Sequence, residues 1–263
     1  MNPSIDSDTS ASGSATGAVP PKSAIQQRKR VRDFENNTNI SLLHHYIYFA
    51  VDKVANSTIK QCLFEIEYSS VGKNPLTLFD KRCSPLLSPY QLPDDLKQEV
   101  FRSDKYFRFA FVRSPYSRLL SCYLDRIQRR TSNPRRDLNK ELKKRGLDPA
   151  EVSFEDFLRV VCEQPSAIQN SHWRRQYDDL CFDLIRFDHI GKFENLWKEM
   201  AYVSERVFGA LMPQMRDRGI NKAPRSTHSD QHVRNYYTQE LADLVYESYS
   251  RDFESFGYER LTI

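Results

Sequence analysis

Two short apolar runs, each followed within a few residues by a helical stripe, restrict this chain more than any other feature. Tyr46 to Val51 (YIYFAV) consists of aromatic, branched and small apolar residues with no charged side chain, the pattern of a strand buried on both faces. A polar loop follows, and Ile59, Cys62, Leu63 and Ile66 then recur at i, i+3, i+4 and i+7, the apolar face of a helix. The second unit opens on Tyr106 to Val112 (YFRFAFV), after which Ser114 supplies an N-cap and Pro115 the favoured first helical residue. Tyr116, Leu119, Leu120, Tyr123, Leu124 and Ile127 form one face of the helix that follows, while Ser114, Arg118, Ser121 and Asp125 fall on the other, which predicts an exposed polar side carrying Ser121. Phe182 to Ile190 reads as a further strand and Glu194 to Phe208 as the helix after it; Phe154 to Val161 and the stretch from Tyr237 to Tyr249 read as helices, with Phe253, Phe256 and Tyr258 as core aromatics. Strands alternating with helices predict an α/β fold, a mainly parallel central sheet flanked by helices.

Residues 40–263 are expected to form one domain, since the 263 residues suffice for a single closed core. Residues 1–39 are expected to be a disordered N-terminal tail: the first 24 are mostly Ser, Thr, Ala, Gly, Pro and Asp without an aromatic, and a short basic run, QQRKRVR, follows. Residues 128–150 are basic and rich in helix breakers, and read as a loop with a frayed helix facing substrate. Between 101 and 150 lie fourteen Lys and Arg against five Asp and Glu, an excess of +9 in a chain of net +4, so an anionic ligand and a merely hydrated basic face are both consistent with charge alone.

Several function classes drop out. The eight glycines stand at 13, 17, 72, 146, 191, 209, 219 and 257, so neither GxxxxGK nor GxGxxG can be written. Five cysteines without a CxxC read as buried thiols in a reducing compartment, and six scattered histidines give no metal-ligand spacing, so no metal is expected. No signal peptide is recognisable, and no stretch approaches the ~20 apolar residues of a membrane span.

In a parallel sheet, ligands bind beyond the carboxyl ends of strands. At the first such end stand Lys53, Val54, Ala55, Asn56, Ser57 and Thr58; helix N-terminal amides and hydroxyls would cradle a phosphate there and Lys53 would neutralise it, although the same residues also serve as ordinary helix caps. At the second end stand Arg113 and, two turns on, Ser121, a second anion site or else a salt-bridged arginine and a plain serine.

The two segments DKVANSTIK (52–60) and FVRSPYSRLLSCY (111–123) together resemble the two nucleotide motifs of the Golgi-type carbohydrate sulfotransferases (sulfotransferase family 2), PKxxxTS and FVRxPxxRLxSxY. The resemblance extends through NSHWRRQ (170–176), Cys181, IRFDHIGKFENL (185–196) and YYTQELADLVYESYSRDFESFGY (236–258). It departs at Asp52, where that family usually has proline. The resemblance implies a three-layer P-loop-like sulfotransferase fold and a PAPS-dependent enzyme (PAPS is 3′-phosphoadenosine 5′-phosphosulfate) sulfating a carbohydrate hydroxyl, without metal. Lys53 to Thr58 would then hold the 5′-phosphosulfate and Arg113 with Ser121 the 3′-phosphate; Ser226 and Thr227, in a polar loop before the last helices, resemble a segment that approaches the nucleotide. Lys53 and His172 are the expected catalytic pair, the histidine as base, with Glu65 and Glu67 as alternatives. The acceptor is expected to be a glycan, anionic if the basic segment binds it, with no nucleic-acid partner. Such relatives carry an N-terminal membrane anchor, and the absence of one here makes a soluble, cytoplasmic enzyme the expectation. Two other readings of the same residues are a kinase-like phosphotransferase and a non-catalytic polyanion-binding protein.

Overall fold

The structure, a computed structural model, describes residues 17–69, 84–129, 131–211 and 229–263. Four strands, β1 (Thr38–Ser41), β2 (Tyr46–Phe49), β3 (Phe107–Val112) and β4 (His189–Lys192), form one sheet in the order β1-β2-β3-β4. β1 and β2 are an antiparallel hairpin, whereas β2 with β3 and β3 with β4 run parallel. The mainly parallel sheet is therefore as expected, with an antiparallel edge strand added.

Side chains alternate across the sheet, and each face has its own cover. On one face Tyr46 and Tyr48 pack on Phe109 with ring centroids 5.9 and 5.3 Å apart. This face is covered by α3 (Asn56–Ser69), whose Glu67 accepts the Tyr46 hydroxyl at 2.8 Å, and by α9 (Leu196–Phe208), whose Phe208 lies 5.9 Å from Tyr46. Gly191 of β4 lets that helix approach, since a Cβ there would stand 3.0 Å from Glu199 Cβ and 2.7 Å from the Phe111 ring of β3. On the opposite face Phe49 meets Phe101 of α4 (Asp94–Arg102) at 6.2 Å and Phe187 at 5.1 Å.

A second core is wholly helical. It joins α5 (Pro115–Cys122), α6 (Asn133–Lys144), α7 (Phe154–Glu163), α11 (Gln239–Ser248) and α12 (Ser250–Phe256) around Leu119, Leu120, Leu138, Phe157, Trp173, Val245 and Phe253. Two further helices, α8 (Gln176–Asp179) and α10 (Ser229–Tyr236), meet the end of β3 at Arg113, Gln176 bonding the Arg113 backbone and Ser229 and Asp230 its guanidinium. The apolar stripe of α5 belongs to this core, as its spacing predicts.

Four expectations need correction. The tail does not extend to residue 39: α1 (Lys22–Gln26) and α2 (Val31–Asn37) are folded, with Ile25 and Phe34 each 2 % exposed. Single apolar residues in a polar sequence anchor them, helped by Lys29, which pairs with buried Asp179 at 3.2 Å, and β1 follows directly. Residues 182–188 are not strand. Cys181 is left-handed with φ 50°, Leu184 and Ile185 donate back to its carbonyl at 2.9 and 3.1 Å, and Phe182 stacks on Phe187; a short apolar run does not distinguish a strand from a buried turn. Residues 133–144 are a regular helix rather than frayed, because the Ser132 hydroxyl caps Arg135 N at 3.1 Å and Leu138 and Leu142 are fully buried. Finally, the polar side of α5 is not exposed: Arg118 and Ser121 are 1 % and 3 % accessible.

Candidate functional site

The strand register sets the site. β3 ends at Val112 opposite Lys192 of β4, so Arg113 and Phe193 leave the sheet together. The Arg113 guanidinium accordingly lies 4.0 Å over the Phe193 ring and donates to the Lys53 carbonyl at 3.3 Å. The two candidate loops, sixty residues apart in sequence, are thus in direct contact.

The first loop is held in an unfavourable backbone. Lys53 and Ala55 have φ of 68° and 52° with Val54 between them at negative φ, and each left-handed non-glycine residue costs roughly 1–2 kcal/mol. Alternating signs of φ turn successive amide N–H groups toward one concavity, and here that concavity opens on the N-terminus of the fourteen-residue α3. Val54 is buried and can contribute only its backbone; Ser57 is exposed and Thr58 is 9 % accessible. Asn56 Oδ1 is buried and finds no hydrogen-bond partner among the described residues.

Both expected cations are held by carboxylates. Lys53 Nζ donates to Asp125 Oδ2 at 2.7 Å. Asp125 sits in a π-helical turn, Tyr123–Ile127, that continues α5, and its oxygens also meet Arg126 at 3.1 Å and Arg129 at 3.6 Å. Burial alone would raise that carboxyl, but the hydrogen bond and charge of Lys53, aided by the two arginines, hold it below its ordinary value. Arg113, 4 % exposed, donates to Ser117 Oγ at 3.0 Å, Ser229 Oγ at 2.7 Å and Asp230 Oδ2 at 2.5 Å. A polar cleft of 540 Å³ opens beside it, lined by Ser117, Glu194, Asp230 and Arg234 among others.

Arg118 was not singled out as a site residue from the sequence, yet it joins everything together. Its Nε donates to Asp52 O at 2.9 Å, one terminal nitrogen to Arg174 O at 2.7 Å and the other to Ser171 O at 2.9 Å. The first loop and the 170–174 turn are therefore fixed to one buried guanidinium on α5. The signal was present in the sequence, since Arg118, Ser121 and Asp125 lie on one helical face; what it lacked was the identity of the backbone packed against that face.

His172 emerges on that turn, its side chain 19 % exposed. Nδ1 is 2.9 Å from Asn170 Oδ1 and 3.5 Å from Asp52 Oδ2, and Asp52 also accepts the Ser171 hydroxyl at 2.6 Å. Asp52, the departure from the family pattern, is thus directed to this turn. Burial pushes the imidazole below its ordinary pKa, with Asp52 opposing. Glu65 and Glu67 are engaged elsewhere, the first with Gln61 at 3.0 Å and the second with Tyr46. Ser226 and Thr227 lie outside the described residues. Among the described residues no group of three or more His, Cys, Asp or Glu could hold a metal ion, and no helix is long and apolar enough to cross a membrane.

Residues 36–259 match the family model described as the sulfotransferase family. Among curated proteins, carbohydrate sulfotransferase 14 of Danio rerio is 26% identical over 224 residues, covering 82% of this chain and 60% of the relative. Carbohydrate sulfotransferase 11 of Danio rerio is 25% identical over 237 residues, 82% of this chain and 65% of its own. Carbohydrate sulfotransferase 14 of Mus musculus is 28% identical over 228 residues, 83% and 59% respectively. The chain spans about three fifths of the length of these relatives. No solved structure gives a significant match.

Proposed function

Since this chain belongs to the sulfotransferase family, we propose that it transfers a sulfuryl group from PAPS to a hydroxyl of a carbohydrate acceptor. The observation that carries the reading is the contact between the two anion cradles, Arg113 donating to the Lys53 carbonyl at 3.3 Å, so that one bisphosphorylated nucleotide can engage both. The relatives' names, carbohydrate sulfotransferases, supply the acceptor class. The helix-covered sheet supports assignment to a three-layer P-loop-like arrangement in which no glycine-rich loop is required.

The residues present suit PAPS. The strained Lys53–Ala55 backbone and the α3 N-terminus form a concavity of amide donors, and Asn56 carries a buried polar atom that the described protein leaves unused. Lys53 to Thr58 would hold the phosphosulfate, and Arg113 and Ser121 the 3′-phosphate. When bound, PAPS supplies a sulfuryl group on a phosphate leaving oxygen. The task of Lys53 is to leave Asp125 and neutralise the charge that develops on that oxygen. His172, kept neutral near pH 7 by burial, accepts the proton of the attacking hydroxyl. The exposed cations of α6, Arg136, Lys140, Lys143 and Lys144, continue the basic surface of Arg126 and Arg129 and favour an anionic glycan.

A thermal-shift titration with PAP (the desulfated product) against ATP, followed by ³⁵S transfer from PAPS to a glycan panel, tests the proposal. PAP should stabilise the protein and ATP should not. Lys53→Ala should lower kcat roughly 10²- to 10³-fold, and Arg113→Ala should weaken PAP at least tenfold. Polyanion binding that survives both substitutions, with no transfer, would refute the enzyme.

A further inference from the structure

The reaction outlined above gives Asp52 no task, although its carboxylate stands beside the proposed base. Oδ2 accepts the Ser171 hydroxyl at 2.6 Å and lies 3.5 Å from His172 Nδ1. The same Nδ1 is 2.9 Å from Asn170 Oδ1, which also accepts His172 N at 3.1 Å. Asn170 Nδ2 donates to Asp137 Oδ2 at 2.8 Å, so the amide oxygen, and not its NH₂, faces the ring. Two acceptors on the Nδ1 side place the ring hydrogen there and leave the lone pair on Nε2. Arg118 grips the carbonyls of both Asp52 and Ser171, so carboxylate and imidazole sit on segments tied to one point.

Resting on the reading of His172 as the base, we propose that Asp52 is a positioning residue: with Asn170 it holds the Nδ1-protonated tautomer and balances the positive charge that His172 acquires when Nε2 takes the acceptor's hydroxyl proton. That proton then leaves to solvent and restores the neutral ring. The charges around the imidazole make the carboxylate necessary. Burial disfavours the cation most, Arg126, Lys53 and Arg118 add to it, and Asp52 is the group that opposes them. Asp52 is itself ionised throughout the working range; burial would raise its carboxyl, but His172, the Ser171 hydroxyl, Arg118 and Lys60 hold it at about 2.

Asp52→Asn keeps the size of the side chain and an acceptor for Ser171 while removing the charge. The His172 ring resonances, assigned by their loss in His172→Gln, report tautomer and titration by NMR independently of turnover. In Asp52→Asn the titration midpoint should fall and the Nδ1-protonated fraction should decrease. kcat should drop roughly tenfold, while PAP affinity stays within about twofold because Arg118 still holds the Asp52 carbonyl and with it the loop backbone. Ser171→Ala, which frees the carboxylate, should move each readout the same way by less, and stands in if Asp52→Asn does not fold. An unchanged midpoint and tautomer in both variants would overturn the positioning role. A shifted midpoint with unchanged kcat, together with an active His172→Gln, would instead overturn His172 as the base.

Discussion

Lys53 is the residue on which the proposed site turns, combining a left-handed backbone with a paired side chain. Its left-handed backbone directs neighbouring amides into the concavity while its side chain waits on Asp125, 2.7 Å away. Both side chains keep some contact with water, 12 % and 21 % exposed, so solvent partly screens the pair and a phosphosulfate can displace it. Asp125→Asn should therefore tighten PAP binding by about two- to fivefold in calorimetry at fixed ionic strength, the ion pair no longer competing. Weaker binding would mean that Asp125 helps to hold the nucleotide. That Lys53 and Arg113 stand at neighbouring strand ends was legible from sequence, because the apolar runs before them mark the strands. Arg118 was not assigned a role, because its three acceptors are backbone carbonyls and leave no mark on residue identity.

At the scale of elements, α5 separates the helical core from the donor loop. Its apolar stripe followed from spacing, whereas the burial of its polar stripe required a partner from residues 52 and 171–174. The short α8 shows how such partners are fixed. Asp252 of α12 accepts Gln176 N and Tyr177 N, both at 2.8 Å, and Gln176 in turn exchanges hydrogen bonds with the Arg113 backbone. Burial raises the Asp252 carboxyl to about 6, more than those backbone amides lower it. Because the folded value lies above the unfolded one, the folded state binds the extra proton between about pH 4 and 6, and this site's contribution to stability falls as pH rises through that window. The slope should amount to about 2–3 kcal/mol in total, and denaturant titrations of Asp252→Asn between pH 4 and 7 should lack it. An identical slope in the variant would place the titration elsewhere.

For the whole molecule, charge separates two surfaces. The two proposed anion cradles lie at the strand ends beside α5, whereas Lys140, Lys143 and Lys144 stand exposed on α6. Charge reversal of these three should raise the acceptor KM several-fold, steeply with falling salt, and leave PAP affinity within about twofold. Equal loss of both would mean that the basic helix serves the donor. The strand–loop–helix units and the parallel sheet were written in the sequence, because hydrophobic period is a local property. The folded helices α1 and α2, the antiparallel edge β1, the turn at 181–188 and the grouping of Asp52, Arg118 and His172 were decided only on folding. Each of these depends on what lies across a contact between distant segments, and no spacing along a single chain encodes that.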